Sequence, residues 1–165
     1  MRFVQDICQD NDVDVVFSGH THEYQRTVPL KFYSRRQADG ALRAFNGCIN
    51  GKFLLDKYFD GKTRTRPRGV IHVTTGGGGA TMYGYGGMKF HNPNAWKPYT
   101  TAFIMEHCFT QCDIKGKTMT VRQMSPGGAV LDELKIDKQI PVDKQAPAPV
   151  EWRDGDYEED DQRLY

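Results

Sequence analysis

Val13-Asp14-Val15-Val16-Phe17-Ser18-Gly19-His20-Thr21-His22-Glu23-Tyr24 is the stretch on which the reading of this chain turns. Its first half is short, apolar and β-branched and stops at Ser18-Gly19, the pattern of a buried strand. Just upstream, residues 2–11 (RFVQDICQDN) place Phe3, Ile7 and Cys8 on one helical face, with Asn11 as a C-terminal cap. A helix feeding a strand in this way predicts a parallel sheet. One helix–strand step cannot cover both faces of a parallel strand. The chain is therefore expected to open in the middle of an α/β layer, with an exposed edge there.

Downstream, residues 28–33 (VPLKFY) read as a further strand. Residues 35–68, with turn signals at Asn46-Gly47, Asn50-Gly51 and Asp60-Gly61, read as a long surface excursion. The segment Gly69-Val70-Ile71-His72-Val73-Thr74-Thr75 is another strand, running straight into Gly76-Gly77-Gly78-Gly79. From 101 to 136 three apolar runs are separated by Lys115-Gly116 and Ser125-Pro126-Gly127-Gly128, which predicts a β-meander. Antiparallel strands after an α/β opening predict an α/β layered sandwich with a mixed sheet. Beyond 138 the composition changes: Pro141, Pro147 and Pro149 precede Asp154, Asp156, Glu158, Glu159, Asp160 and Asp161. The expected division is a domain over 1–138 and a Pro-rich linker with an acidic disordered tail over 139–165.

Bulk properties narrow the function classes. The 165 residues suit one domain or part of one. Twenty-two basic against 21 acidic residues give a net charge of +1, so no nucleic-acid-binding or polybasic membrane surface is expected. No apolar run approaches the roughly 20 residues that span a bilayer. Cys8, Cys48, Cys108 and Cys112 form no C-x-x-C pair, against a zinc ribbon or a disulfide-framed scaffold.

The chemistry concentrates in Gly19-His20-Thr21-His22 at the carboxyl end of the first strand, where ligands sit in α/β sheets. In extended chain, residues two apart point the same way with Cα atoms about 6.5–7 Å apart. Two imidazoles so placed suit one metal ion, or each takes one ion of a pair about 3.5–4 Å apart. Gly19 is expected to let the backbone approach the site. A bare His-x-His reads as two polar side chains without metal; the buried strand, the glycine and Tyr24-x-Arg26 tip the balance towards ligands.

Other residues carry weaker signals. Tyr24 and Arg26 read equally as pocket residues beside the metal and as packing at the strand end. Gly77 and Gly78 can present backbone N–H groups to a phosphate, although a tight turn is the heavier reading and no Lys-Ser/Thr follows. Arg64, Arg66 and Arg68 share a face if extended, more readily a solvated basic edge than an anion site. His72 alternates with Ile71 and Val73 and reads as structural; His91 and His107 are not assigned to metal. Cys108 and Cys112 share a strand face too far apart to pair, and Trp96 and Tyr99 read as a pocket rim or, the heavier reading, as cover for the core.

At DVVFSGHTHEYQRT the sequence resembles the C-terminal Gly-His-x-His signature of calcineurin-like metallophosphoesterases, closest to their purple-acid-phosphatase-like branch. GVIHVTTGGGGA resembles that branch's next strand and glycine loop, and HCFTQCDIKGKTMTVRQMSPGGAVLDELKI its closing meander. The resemblance implies the C-terminal portion of an α/β/β/α layered sandwich. It also implies hydrolysis of phosphate mono- or diesters by a metal-bound hydroxide. Two transition-metal ions (iron, zinc or manganese) are implied, with His20 on one and His22 on the other.

The family's other ligands, from Asp-x-His, Gly-Asp and Asn-His segments, lie upstream of this motif. Here 19 residues precede His20 and hold none of them. Ions held by two imidazoles exchange readily, so weak metal binding and negligible turnover are expected. The missing N-terminal half or a partner subunit is needed for a complete site, and export from the cell is implied by the branch. Two readings compete. An amidohydrolase also uses His-x-His after a strand, but needs about 200 or more residues of βα repeats behind it. A non-catalytic binding or assembly module derived from the same fold is the stronger alternative.

Overall fold

The computed structural model describes residues 2, 4–42, 44, 45, 48–82, 98–144 and 146–153. In chain order its elements are α1 (Gln5–Asp10), β1 (Val15–Ser18), β2 (Tyr24–Thr27), β3 (Leu30–Ser34), β4 (Ala44–Phe45), β5 (Cys48–Ile49) and β6 (Gly51–Leu55). They continue with β7 (Ile71–Thr75), β8 (Thr100–Ile104), β9 (Phe109–Lys115), β10 (Thr118–Met124), β11 (Val130–Asp137) and β12 (Val150–Arg153).

The helix is short and capped as expected: the Asn11 backbone N–H and side-chain Nδ2 both donate to the Ile7 carbonyl, at 3.2 and 2.9 Å. Ile7 of its expected apolar face is not an anchor. Ile7 is 63% exposed and Gln5 is the buried helix residue, so polar groups hold the helix in place. Gln9 Oε1 accepts from the Phe32 backbone N–H at 2.6 Å.

β1 runs parallel to β7, with Val15 opposite Ile71, as a helix-fed strand should. β7 then pairs antiparallel with β2, and β2 with β8, so the central sheet is mixed in the order β1-β7-β2-β8. The expected burial of β1 is only partial. It is an edge strand among the described residues, and Phe17 is 42% exposed.

The meander β9-β10-β11 forms a second sheet. The single run expected from 101 to 114 is cut at residues 105–108, where the Cys108 backbone N–H donates to the Gly77 carbonyl at 3.1 Å. That cut sends β8 to the central sheet and starts the meander at Phe109. Tyr24, Ile71 and Val73 of the central sheet bury against Val121, Leu134 and Ile136 of the meander to form the first core.

The surface excursion expected over 35–68 is corrected. β6 lies inside it and joins β3 and β12 in a third sheet, ordered β12-β6-β3. Leu30 and Phe32 alternate inward on β3 and pack with Phe53, Leu55 and Trp152 as a second core. The linker expected from 139 likewise holds a strand: Trp152 lies opposite Phe53 and is 9% exposed. The acidic run 154–161 lies outside the described residues, as do His91 and Trp96. Cys108 is buried ahead of β9 and Cys112 exposed on it, both as free thiols.

Layered mixed sheets are thus present, with α1 the one helix among the described residues.

Candidate metal site at the end of β1

The polypeptide leaves β1 at Ser18 and re-enters the sheet at Tyr24, so Gly19-His20-Thr21-His22-Glu23 is a tight connection rather than a strand extension. His20 takes a positive φ of 78°, a left-handed conformation uncommon for a residue with a Cβ. The extended geometry expected for the two histidines is therefore broken at the first of them. His20 is exposed, and His22 is half-buried with Nδ1 2.7 Å from the Thr81 carbonyl oxygen. A carbonyl only accepts, so that contact puts the proton on Nδ1. It selects the tautomer whose Nε2 lone pair is the ligating one, the usual support of a metal-binding imidazole.

The glycine that lets the connection close is not Gly19. A Cβ on Gly19 would meet nothing within 4 Å, whereas one on Gly76 would stand 1.7 Å from the Thr21 carbonyl oxygen. Gly76 N–H donates to the Glu23 carbonyl at 2.9 Å, and Glu23 N–H to the Thr21 carbonyl at 2.9 Å. β7 thus ends flush against the histidine loop because its next residue has no side chain. Gly77 packs less tightly on the other side, where a Cβ would lie 2.7 Å from Cys108 Sγ. Its carbonyl accepts from Cys108 N–H at 3.1 Å and lies 3.3 Å from His107 Nδ1. Gly78 is exposed with no neighbour within 4 Å of its Cβ position.

Tyr24 and Arg26 point away from the histidines into the first core. Tyr24 Oη donates to Asp132 Oδ2 at 2.7 Å; Arg26 Nε and Nη2 grip the same carboxylate at 2.6 and 2.8 Å. Burial, then the Asp132 charge, push the Tyr24 hydroxyl far above its ordinary pKa, so it stays a donor. Burial works against an ionised Asp132 too, but the Arg26 hydrogen bond and charge outweigh it and hold the carboxyl below the usual range. Arg26 stays protonated against the same cost of burial through its hydrogen bond to Asp132. These two side chains tie β2 to β11. Sequence reasoning missed Asp132, whose only signal was an acid in a strand of otherwise ordinary alternation.

As donors, His20 and His22 suit a transition-metal ion, but a closed zinc shell takes four ligands and a catalytic one three. No group of three or more His, Cys, Asp or Glu side chains gathers for a metal among the described residues. The described residues fit part of a shell and, among themselves, leave the rest unsupplied.

No family model matches the chain. Over 136 residues it is 24% identical to an Arabidopsis thaliana protein named "Probable inactive purple acid phosphatase 27", covering 82% of this chain and 18% of that protein. Among solved structures it is similar to a purple acid phosphatase isolated from yellow lupin (Lupinus luteus) seeds. The TM-score is 0.51 at 17% identity, over 87% of this chain and 23% of that one. The chain spans about a fifth of the length of these relatives.

Proposed function

This chain is related, over that limited part, to the purple-acid-phosphatase-like metallophosphoesterases, and from that premise we propose that it carries the Gly-His-x-His part of a dinuclear phosphoesterase centre. One observation carries the reading. The histidine loop follows the carboxyl end of a parallel strand, and the His22 Nδ1–H meets the Thr81 carbonyl, the tautomer in which Nε2 would be the nitrogen offered to a metal.

His20 and His22 would each hold one of two iron, zinc or manganese ions. When bound, such a pair supplies Lewis acidity and a hydroxide for attack on a phosphate mono- or diester. The contribution of this chain's own residues is to orient two imidazoles at a strand end. Gly76 lets β7 approach the loop, and the Thr81 carbonyl fixes one tautomer. The remaining ligands come from outside the described residues, from further polypeptide or a partner subunit. Export from the cell belongs to the same reading.

A second reading has its own support, since the Arabidopsis relative is named as inactive and no three-ligand group gathers among the described residues. In it the chain is a non-catalytic module of the same descent.

The test is NMR of the histidine rings during titration with zinc, together with turnover of p-nitrophenyl phosphate. Zinc is expected to shift His20 and His22 ahead of His72 and His107, with fast exchange. Turnover is expected not to exceed that of a His20→Ala, His22→Ala variant. Equal response of all ring signals would overturn the ligand assignment; metal-dependent turnover lost in the variant would overturn the expected silence of the isolated chain.

A further inference from the structure

The net charge of +1 is the sum of two opposite parts. Residues 154–165 hold six of the 21 acidic side chains and one of the 22 basic ones, a net charge of −5. Residues 1–153 hold the other 15 acids and 21 basic residues, a net charge of +6. The acids are densest in Asp154-Gly155-Asp156-Tyr157-Glu158-Glu159-Asp160-Asp161, directly after β12.

The third sheet fixes where that run starts. β12 and β3 both lie antiparallel to β6, so they point the same way. Arg153 stands opposite Lys52 and Ser34 opposite Gly51, at one end of the sheet. β3 leaves that end as Arg35 and Arg36, both exposed, with the Arg35 N–H donating to the Asn50 carbonyl at 2.7 Å. With neighbouring strands about 4.8 Å apart, the ends of β12 and β3 are about 10 Å from each other. Extended chain from Arg153 to Asp156 already spans about 10 Å, and the whole acidic run about 26 Å. The two arginines are within its reach.

The charges at this end favour an anion. Lys52 lies 3.1 Å from Glu151 and those two cancel. Arg36 Nη1 donates to the Gly40 carbonyl at 2.9 Å, which leaves its charge uncompensated. The Arg35 side chain has neither a hydrogen bond nor an ion pair among the described residues. In the sequence from 35 to 47, Arg35, Arg36 and Arg43 stand against Asp39 alone. With Arg153 the excess is three positive charges, and Arg2, on the Ile49 carbonyl, adds to it. Asp6 and Asp10 belong to α1, which lies along the far edge of β3, where the Phe32 N–H meets Gln9. Guanidinium forks match carboxylates, and a tether of a few residues holds the acids at high effective concentration.

We infer that residues 154–161 fold back over this end of the third sheet, where the Arg35 and Arg36 guanidiniums donate to their carboxylates. The chain thus carries its own anionic ligand and withholds these arginines from other polyanions.

The experiment is carbodiimide cross-linking of the full chain carrying Arg35→Lys, which keeps the charge and supplies an amine, followed by peptide mass spectrometry. At about 0.01 M salt, with a screening length of about 30 Å, position 35 is expected to join carboxylates of 154–161 within the monomer. At about 1 M salt, with a screening length of about 3 Å, that product is expected to fall at least about fivefold. Lys117, exposed at the meander hairpin, is the comparison and should give several-fold less product. A second measurement follows the arginine Nε–H signals at low salt. Introducing Glu158→Gln, Glu159→Gln, Asp160→Asn and Asp161→Asn together is expected to move those of Arg35 and Arg36 and to leave that of Arg122 in place. Equal cross-linking at position 35 and Lys117, a product confined to dimers, or unmoved Arg35 and Arg36 signals overturns the proposal.

Discussion

His72 sits on β7 between Ile71 and Val73, with its ring on the face of the central sheet away from the first core. Its Nε2 is 2.8 Å from Gln5 Oε1, which can only accept, so Nε2 carries the proton and Nδ1 is left buried without a partner. Burial pulls the ring pKa from 6.5 down to about 4. The folded state therefore resists protonation. The stability this group confers is complete above about pH 6.5, and is lost as the pH falls through the folded value near 4. A shift of this size is worth about 3 kcal/mol when fully expressed. His72→Gln, which is never charged, is expected to lose about 2–3 kcal/mol less stability than the wild type between pH 7 and pH 4.5. Urea unfolding of both proteins at the two pH values checks this, and parallel losses would remove His72 as the cause. Alternation in GVIHVTT already marked this histidine as structural. The positive φ at His20 had no such signature, because it arises from closing the loop onto β2 and not from the identity of the residue.

At the scale of elements, the closure of that loop rests on how near β7 comes to it. Gly76→Ala would drive a Cβ to 1.7 Å from a backbone carbonyl, with no flexible side chain to give way. Overpacking of this kind costs about 1–3 kcal/mol, and the displaced residues are Thr21 and its flanking histidines. Gly76→Ala is therefore expected to lower the unfolding temperature by about 2–4 °C for each kcal/mol lost and to weaken zinc binding at His20 and His22. Gly19→Ala and Gly78→Ala have open space and no positive φ, so they should leave both nearly unchanged. Calorimetry with the zinc titration on all three variants tests the contrast, and equal effects would show that the loop does not depend on Gly76. The sequence pointed to the motif and to the glycine run separately, and gave no sign that Gly76 is the residue that closes onto the histidine loop. Which glycine faces the loop depends on the β1–β7 and β7–β2 pairings, and local pattern does not carry those. β2 was hidden for a related reason. Its inward residues are Tyr24 and Arg26, and an arginine in a core makes sense only beside Asp132, 106 residues further on.

Over the whole molecule, two cores are built from segments far apart in the chain. Strands β1 and β7 of the central sheet and the hairpins of the meander were legible because they are locally apolar and their turns are marked. The third sheet was not: β3, β6 and β12 are separated by polar, glycine-marked or proline-rich stretches, and Trp152 stands among acids and prolines. What joins the central sheet to the meander is partly charged. Arg26 and Asp132 are 9% and 14% exposed in their side chains, inside an otherwise apolar cluster that includes Tyr24. A buried pair adds little over apolar packing, but breaking one partner strands the other's charge, at about 3–5 kcal/mol. Asp132→Asn keeps the shape, removes the charge, and leaves Arg26 facing a neutral amide. It is expected to cost about 3 kcal/mol or more, a large share of the roughly 5–15 kcal/mol that holds a domain together. Asp113→Asn makes the matching change in the half-exposed Arg122–Asp113 pair, and should cost about 1 kcal/mol or less. Chemical denaturation of the two variants side by side measures this difference. If Asp132→Asn is no more costly than Asp113→Asn, the sheets are held by their apolar contacts alone, and Arg26 is a tolerated charge rather than a clamp.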